Sequence, residues 1–213
     1  MRKPFITVIG SIASGKSTVA KFIADNLGAE FIAADELYKT NPFFKDTLKD
    51  RKRWSLASDL WFLVKRAELA EEFEDILKKE IIVQDSGLLM SWAYANSRLR
   101  SHYMNENEIS LYNILFLRLT NDLPKENIVV YLRLPTSILL ARIKKRARDF
   151  ELQFHTPEYL NNISKSLDDL VEILQKKTNV LVFDNQNWCD IISVKEDRER
   201  LLNGVKKEIE KSY

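Results

Sequence analysis

Cysteine is nearly absent. Cys189 is the only one in 213 residues, so no disulfide can close within the chain, and a reducing compartment such as the cytoplasm is expected. Glycine and proline number five each, which excludes collagen-like and low-complexity chains. Two histidines, His102 and His155, leave little material for a His-rich metal site or a His-centred triad. No uncharged apolar run approaches the ~18–20 residues that a membrane span needs. Met1-Arg2-Lys3-Pro4 followed by Phe5–Gly10 begins like a signal peptide, but the apolar stretch is too short and runs straight into a motif. Excess charge of one sign is missing too. Thirty-three basic residues against 31 acidic ones leave a net charge of +2, which argues against a dedicated nucleic-acid binder. What remains is 45% hydrophobic and 30% charged, enough to bury a core. At this length a single domain over residues 1–213 is expected.

Short apolar runs alternate with helical patterns. Phe5–Ile9 reads as a buried strand ending in Gly10. Lys16–Leu27 has helical spacing, with Gly28 placed to close it. Glu30–Ala33 reads as a second strand, and Trp54 to about Lys79 as one long helix. Ile81–Asp85, Ile128–Leu134 and Val180–Phe183 are the third, fourth and fifth strands. Helices are predicted from Thr136 or Ser137 to about Arg146, over Pro157–Lys176 and over about Lys195–Lys211. Between Met90 and Asn127 the pattern assigns no element. Strands alternating with amphipathic helices imply an α/β fold, a parallel sheet covered on both faces.

Gly10-Ser11-Ile12-Ala13-Ser14-Gly15-Lys16-Ser17 matches G-x-x-x-x-G-K-[ST], between a strand and a helix. The glycines let backbone N–H groups turn inward around an anion, and the helix start adds its dipole. Lys16 can reach the β- and γ-phosphates, and the Ser17 hydroxyl can ligate Mg²⁺. This establishes binding of a nucleoside triphosphate and leaves the acceptor open. Ligands of open α/β sheets bind beyond the carboxyl ends of the strands. Asp85 ends the third strand there, and Asp35 and Glu36 follow the second. Phosphoryl transfer to an alcohol needs a proton acceptor and a carboxylate near Mg²⁺, roles that Glu36 and Asp85 can fill. Arg142, Lys144, Lys145, Arg146 and Arg148 form a basic segment, read as a solvated helix face, as a nucleic-acid patch that the charge balance disfavours, or as a lid whose arginines close on the transferring phosphate.

These blocks together resemble the deoxynucleoside kinase family, the group that includes bacterial deoxyadenosine and deoxyguanosine kinases. The resemblance runs from Phe5 to about Phe183. Gly10–Thr18 resembles the family's P-loop. Glu36-Leu-Tyr-Lys-Thr-Asn41-Pro42-Phe43-Phe44 is similar to the bacterial segment with a Glu ahead of Asn-Pro-Phe/Tyr. Arg53-Trp54-Ser55, Trp61-Phe62-Leu63 and Arg66 match the substrate-site helix. Tyr131-Leu132-Arg133 matches the fourth strand and Arg142–Arg148 the lid, and Pro157-Glu158-Tyr159-Leu160 continues the match past the lid.

The resemblance implies a P-loop kinase fold with a five-stranded parallel sheet and an arginine-rich lid at about 142–156. It implies transfer of phosphate from ATP, with Mg²⁺, to a nucleoside 5′-hydroxyl, in a homodimer joined through helices. Lys16 and the loop from Gly10 to Thr18 would hold ATP. Glu36 falls at the general base, and Asp85 at the acid opening an Asp/Glu-Arg-Ser motif. Arg142 and Arg146 match lid arginines, Glu151 a lid acid near the sugar, and Arg66 an arginine near the base. Departures gather on the acceptor side. The motif reads Asp85-Ser86-Gly87, without its arginine, for which Arg98 or Arg100 could substitute. The base-pairing glutamine is replaced by Asp59, which only accepts hydrogen bonds and so suits the N1–H and 2-amino group of guanine. The sugar-contacting aromatic hydroxyl falls at Leu48, and the acid partner of the base-site arginine at Ser91. A purine, guanine-leaning nucleoside kinase is the leading reading. The alternatives are a kinase of another small hydroxylated metabolite or of a nucleoside monophosphate, and a nucleotide-binding protein that has lost turnover. His102, His155, Cys189 and the tryptophans are assigned to packing or surface.

Overall fold

The computed structural model describes residues 2–33, 35–146, 154–184 and 194–211, and the backbone alone at Asp35 and Glu36. Glu151, Arg148, Cys189 and the Glu36 side chain therefore lie outside the described residues.

Strands β1 (Phe5–Gly10), β2 (Glu30–Ala33), β3 (Ile82–Asp85), β4 (Ile128–Leu132) and β5 (Asn179–Phe183) form one parallel sheet in the order β2-β3-β1-β4-β5. β1 lies at its centre, with Val8 registered against both Asp85 and Val130. The expected five-stranded parallel sheet is thus present. Successive side chains of a strand point to opposite faces, so each central strand feeds two cores. Ile6, Val8, Val130 and Leu132 meet α1 (Lys16–Leu27) and the final helix (Lys195–Lys211). Ile9, Val129 and Tyr131 meet α5 (Gly87–Arg100) and the helix over Pro157–Leu174. Helices cover both faces, which a parallel sheet requires.

Gly28 closes α1 at φ 60°, its N–H donating to the Ala24 carbonyl. The long helix expected at Trp54–Lys79 is two. α3 (Arg51–Glu71) starts earlier, because the Asp50 side chain accepts from the Arg53 N–H. At Glu72 the chain redirects into α4 (Phe73–Ile76), after a short α2 (Phe44–Lys49) that precedes α3. That turn buries Phe73 and Leu77 against Phe5 and Ile82, which one straight helix would not do. α6 (Glu106–Thr120) joins α5 in filling the stretch that the pattern left unassigned. α7 (Thr136–Arg146), α8 (Pro157–Leu174) and α9 (Lys195–Lys211) complete the order. Among the described residues, no helix is long and apolar enough to cross a membrane.

Candidate active site

The loop between β1 and α1 is shaped as a cradle. Ala13 and Gly15 hold positive φ of 62° and 97°, which turns successive N–H groups inward. Gly10 is required by contact: a Cβ there would lie 2.9 Å from the Leu132 carbonyl and 2.5 Å from Ser14 Oγ. Lys16 is buried, and its Nζ donates to the Ser11 carbonyl at 3.1 Å. The Ser11 and Ser14 hydroxyls are buried and make no hydrogen bond, unusual for buried polar atoms and fitting for a site shaped around a ligand. Ser17 and Thr18 stand exposed at the head of α1 and line a cavity of ≈ 310 Å³.

α7 brings cations to the same place. Arg142 Nη1 donates to the Ser14 carbonyl at 2.9 Å, and Arg146, in the last turn, lines the cavity. Arg142 and Arg146 of the basic segment thus border the loop and the cavity. Asp85 ends β3 at 1% exposure and accepts from Ser86 Oγ at 3.0 Å. It is not the N-cap of α5. Ser86 holds that position, at φ 78° and ψ −77°, without a side-chain cap bond. Gly87 follows, also at positive φ, and a Cβ there would lie 2.1 Å from Gln84 Oε1. Ser86 at positive φ, followed by a position that admits only glycine, marks a constrained strand-to-helix turn beside Asp85. Asp85 itself does not line the cavity.

The far end of the cavity is built from α3 and α5. Asp59 and Arg66 are seven residues apart on α3, and Ser91 and Arg98 seven apart on α5, so each pair shares a helix face. All four line the cavity. Arg66 donates from Nη1 to Ser91 Oγ at 2.8 Å and lies 5.3 Å from the Phe62 ring centroid. It thus keeps a partner, a hydroxyl in place of an acid. Arg98 donates to Asp59 Oδ2 from Nε at 3.2 Å and to the Tyr159 hydroxyl from Nη1 at 2.7 Å. Burial works against its charge, but Asp59 and Tyr159 outweigh that and raise its pKa above the ordinary value.

The structure brings together Lys16, Ser17, Thr18, Asp59, Arg66, Arg142 and Arg146. It adds groups absent from the sequence expectation. Tyr38, Phe44 and Tyr94 line the cavity, while Leu48 does not. Tyr hydroxyls are therefore available from other positions. Of the two stand-ins expected for the missing motif arginine, Arg98 pairs with Asp59 and Arg100 pairs with Asp169. His155, expected at the surface or in packing, lines the cavity and stacks on Tyr159 at 5.6 Å. Burial first, then Arg51, Arg98 and Arg146, push its pKa down to about 4. Trp54 stacks on Phe43 and Trp61 meets Phe62 edge-on, and neither lines the cavity.

A triphosphate cradle, a pair of arginines above it and a polar pocket beyond it share one space. Such an arrangement can hold a polyphosphate and an alcohol end to end. A family model described as deoxynucleoside kinase matches residues 6–210. A deoxyguanosine kinase of Bacillus subtilis is 30% identical over 208 residues, spanning 95% of this chain and 96% of that one. A deoxyadenosine kinase of Lactobacillus acidophilus is 28% identical, over 68% of each chain. The solved structure of deoxyadenosine kinase from M. mycoides, with products dCMP and dCDP bound, superposes with a TM-score of 0.79 at 25% identity, covering 95% of this chain and 99% of that one.

Proposed function

We propose, for a chain that belongs to the deoxynucleoside kinase family, that it transfers the γ-phosphoryl group of ATP to the 5′-hydroxyl of a purine deoxynucleoside. One observation carries the reading: the phosphate cradle and the Asp59–Arg66 pocket open into a single cavity of nucleoside scale.

The loop amides and Lys16 bind the triphosphate. Arg142 and Arg146 are placed to turn from the loop toward the equatorial oxygens of the transferring group. Glu36, in the 3-10 helix (Asp35–Lys39) after β2, accepts the hydroxyl proton as the new O–P bond forms and the bond to the ADP oxygen breaks. Arg66 and Asp59 orient the base, and Glu151 is assigned as the acid for the sugar. Mg²⁺ arriving with the nucleotide would neutralise charge on the β- and γ-oxygens. The Ser17 hydroxyl and the Asp85 carboxylate are the hard oxygen donors suited to hold it. Among the described residues, no cluster of three His, Cys, Asp or Glu forms a cage. A cation carried on phosphates, with few protein ligands, is consistent with that. The single cysteine supports a cytoplasmic setting.

Glu36→Gln tests the assignment. Turnover of ATP with a deoxynucleoside panel should fall at least about a hundredfold, in the range of general-base loss, while ATP affinity stays within a few-fold. Full activity in this variant would remove Glu36 from the mechanism.

We further propose a homodimer. On α6, Leu111, Ile114 and Leu117 are 47%, 55% and 67% exposed, and Val64 of α3 is 39% exposed. Three of these recur three residues apart on one helix. An exposed apolar stripe of this kind is a feature of protein interfaces.

A further inference from the structure

Resting on the kinase reading above, we propose that Arg98 is a specificity-determining residue, and that Asp59 and Arg98 together read the guanine base edge. A bare ion pair gluing α3 to α5 does not account for what is seen. Those helices are already joined by an apolar cluster containing Leu63, Ala95 and Tyr112. Both charges line the cavity, at 4% and 9% exposure. The pair is also loose: Arg98 reaches Asp59 at 3.2 Å from Nε and at 3.5 Å from Nη2.

Hydrogen-bond capacity points to a ligand. A guanidinium has five N–H donors. Arg98 gives two to Asp59 and one to Tyr159, which leaves two. A carboxylate has about four acceptor sites, and Asp59 receives two of these bonds. Acceptors beside donors are what a guanine needs. Its N1–H and 2-amino group are adjacent donors for the carboxylate, and O6 and N7 are acceptors for the guanidinium. Adenine sets an N1 acceptor against the carboxylate. Cytosine offers one donor followed by two acceptors, so one carboxylate oxygen stays unmatched. Tyr159 holds the guanidinium from one side, so the reader is preformed before the base arrives.

The ligand can be varied without disturbing the fold. The unmodified enzyme should use deoxyguanosine at least about tenfold better in kcat/KM than deoxyinosine, which lacks the 2-amino donor, since one bond to a charged group is lost. Arg98→Lys keeps the charge beside Asp59 and removes the fork. 2-Aminopurine deoxyriboside lacks O6, and its N1 accepts instead of donating. The Asp59 share of the discrimination against it is common to both proteins. In the variant the preference for deoxyguanosine over it should therefore shrink about tenfold through the lost O6 contact alone, while the preference over deoxyinosine persists. A merely structural Arg98 would lower all three substrates alike, and that result overturns the proposal. So does equal use of deoxyinosine and deoxyguanosine by the unmodified enzyme, a measurement that decides alone if the variant is insoluble. Preference for deoxyadenosine overturns the proposal but leaves the purine kinase reading standing. Preference for deoxycytidine overturns the proposal and the purine part of that reading, and leaves nucleoside phosphorylation standing. No phosphate transfer to any nucleoside overturns both.

Discussion

Beside the cavity, His155 is a neutral base among cations. Its ring is enclosed against Tyr159, its Nδ1 makes no hydrogen bond, and Arg51, Arg98 and Arg146 act on it from three elements. The folded pKa is about 4 against an ordinary 6.5. Between those values the unfolded chain binds a proton that the folded chain refuses, so stability falls as pH drops from about 6.5 toward about 4. Melting temperatures followed across that window should decline, and less steeply in His155→Gln. An equal slope in both proteins would assign the acid sensitivity to other groups. Legibility at this scale followed chemistry. Gly10, Lys16 and Ser17 were readable because anion binding dictates their spacing within one short loop. The Asp59–Arg98 pair was not, because its members stand 39 residues apart on different helices and only packing introduces them.

Among the helices, readability depended on how many sides each one buries. α1 and α9 lie on one face of the sheet and show one apolar stripe, and their limits were found residue for residue. α5 lies between the sheet, α3, α6 and α8, so Leu89, Met90, Ala93, Ala95 and even Arg98 are enclosed and no polar face survives to set a period. α6 is apolar on two sides, inward through Ile109 and Tyr112 and outward through Leu111, Ile114 and Leu117, which erases the same signal. Its start was nonetheless written in the chain. Asn105 accepts from the N–H groups of Asn107 and Glu108, and the Glu108 carboxylate accepts from the Asn105 N–H, a reciprocal cap. Asn105→Ala should cost about 1 kcal/mol in denaturant unfolding without changing the slope. No loss would mean that α6 is held by its packing alone.

For the whole molecule, the outward side of α6 sets the expected assembly. If two copies bury it, Leu117→Glu places a carboxylate in an apolar seam, and the dimer should dissociate to monomers in sedimentation at micromolar concentration. An unmodified chain that sediments as a monomer under the same conditions would remove the dimer. The sheet order accounts for where the cavity lies. β1 is flanked by β3 and β4, and the connections leave it toward both edges, so the crevice opens at its carboxyl end, where the loop from Gly10 is held.

That central place has a consequence for synthesis on the ribosome. β1 is made before both of its neighbours, residues 82–85 and 128–132. During synthesis one edge of β1 therefore stays open until residue 85 is out, and the other until residue 132, past half of the 213 residues. The nucleotide grip is thus made well before the two strands that hold it in place.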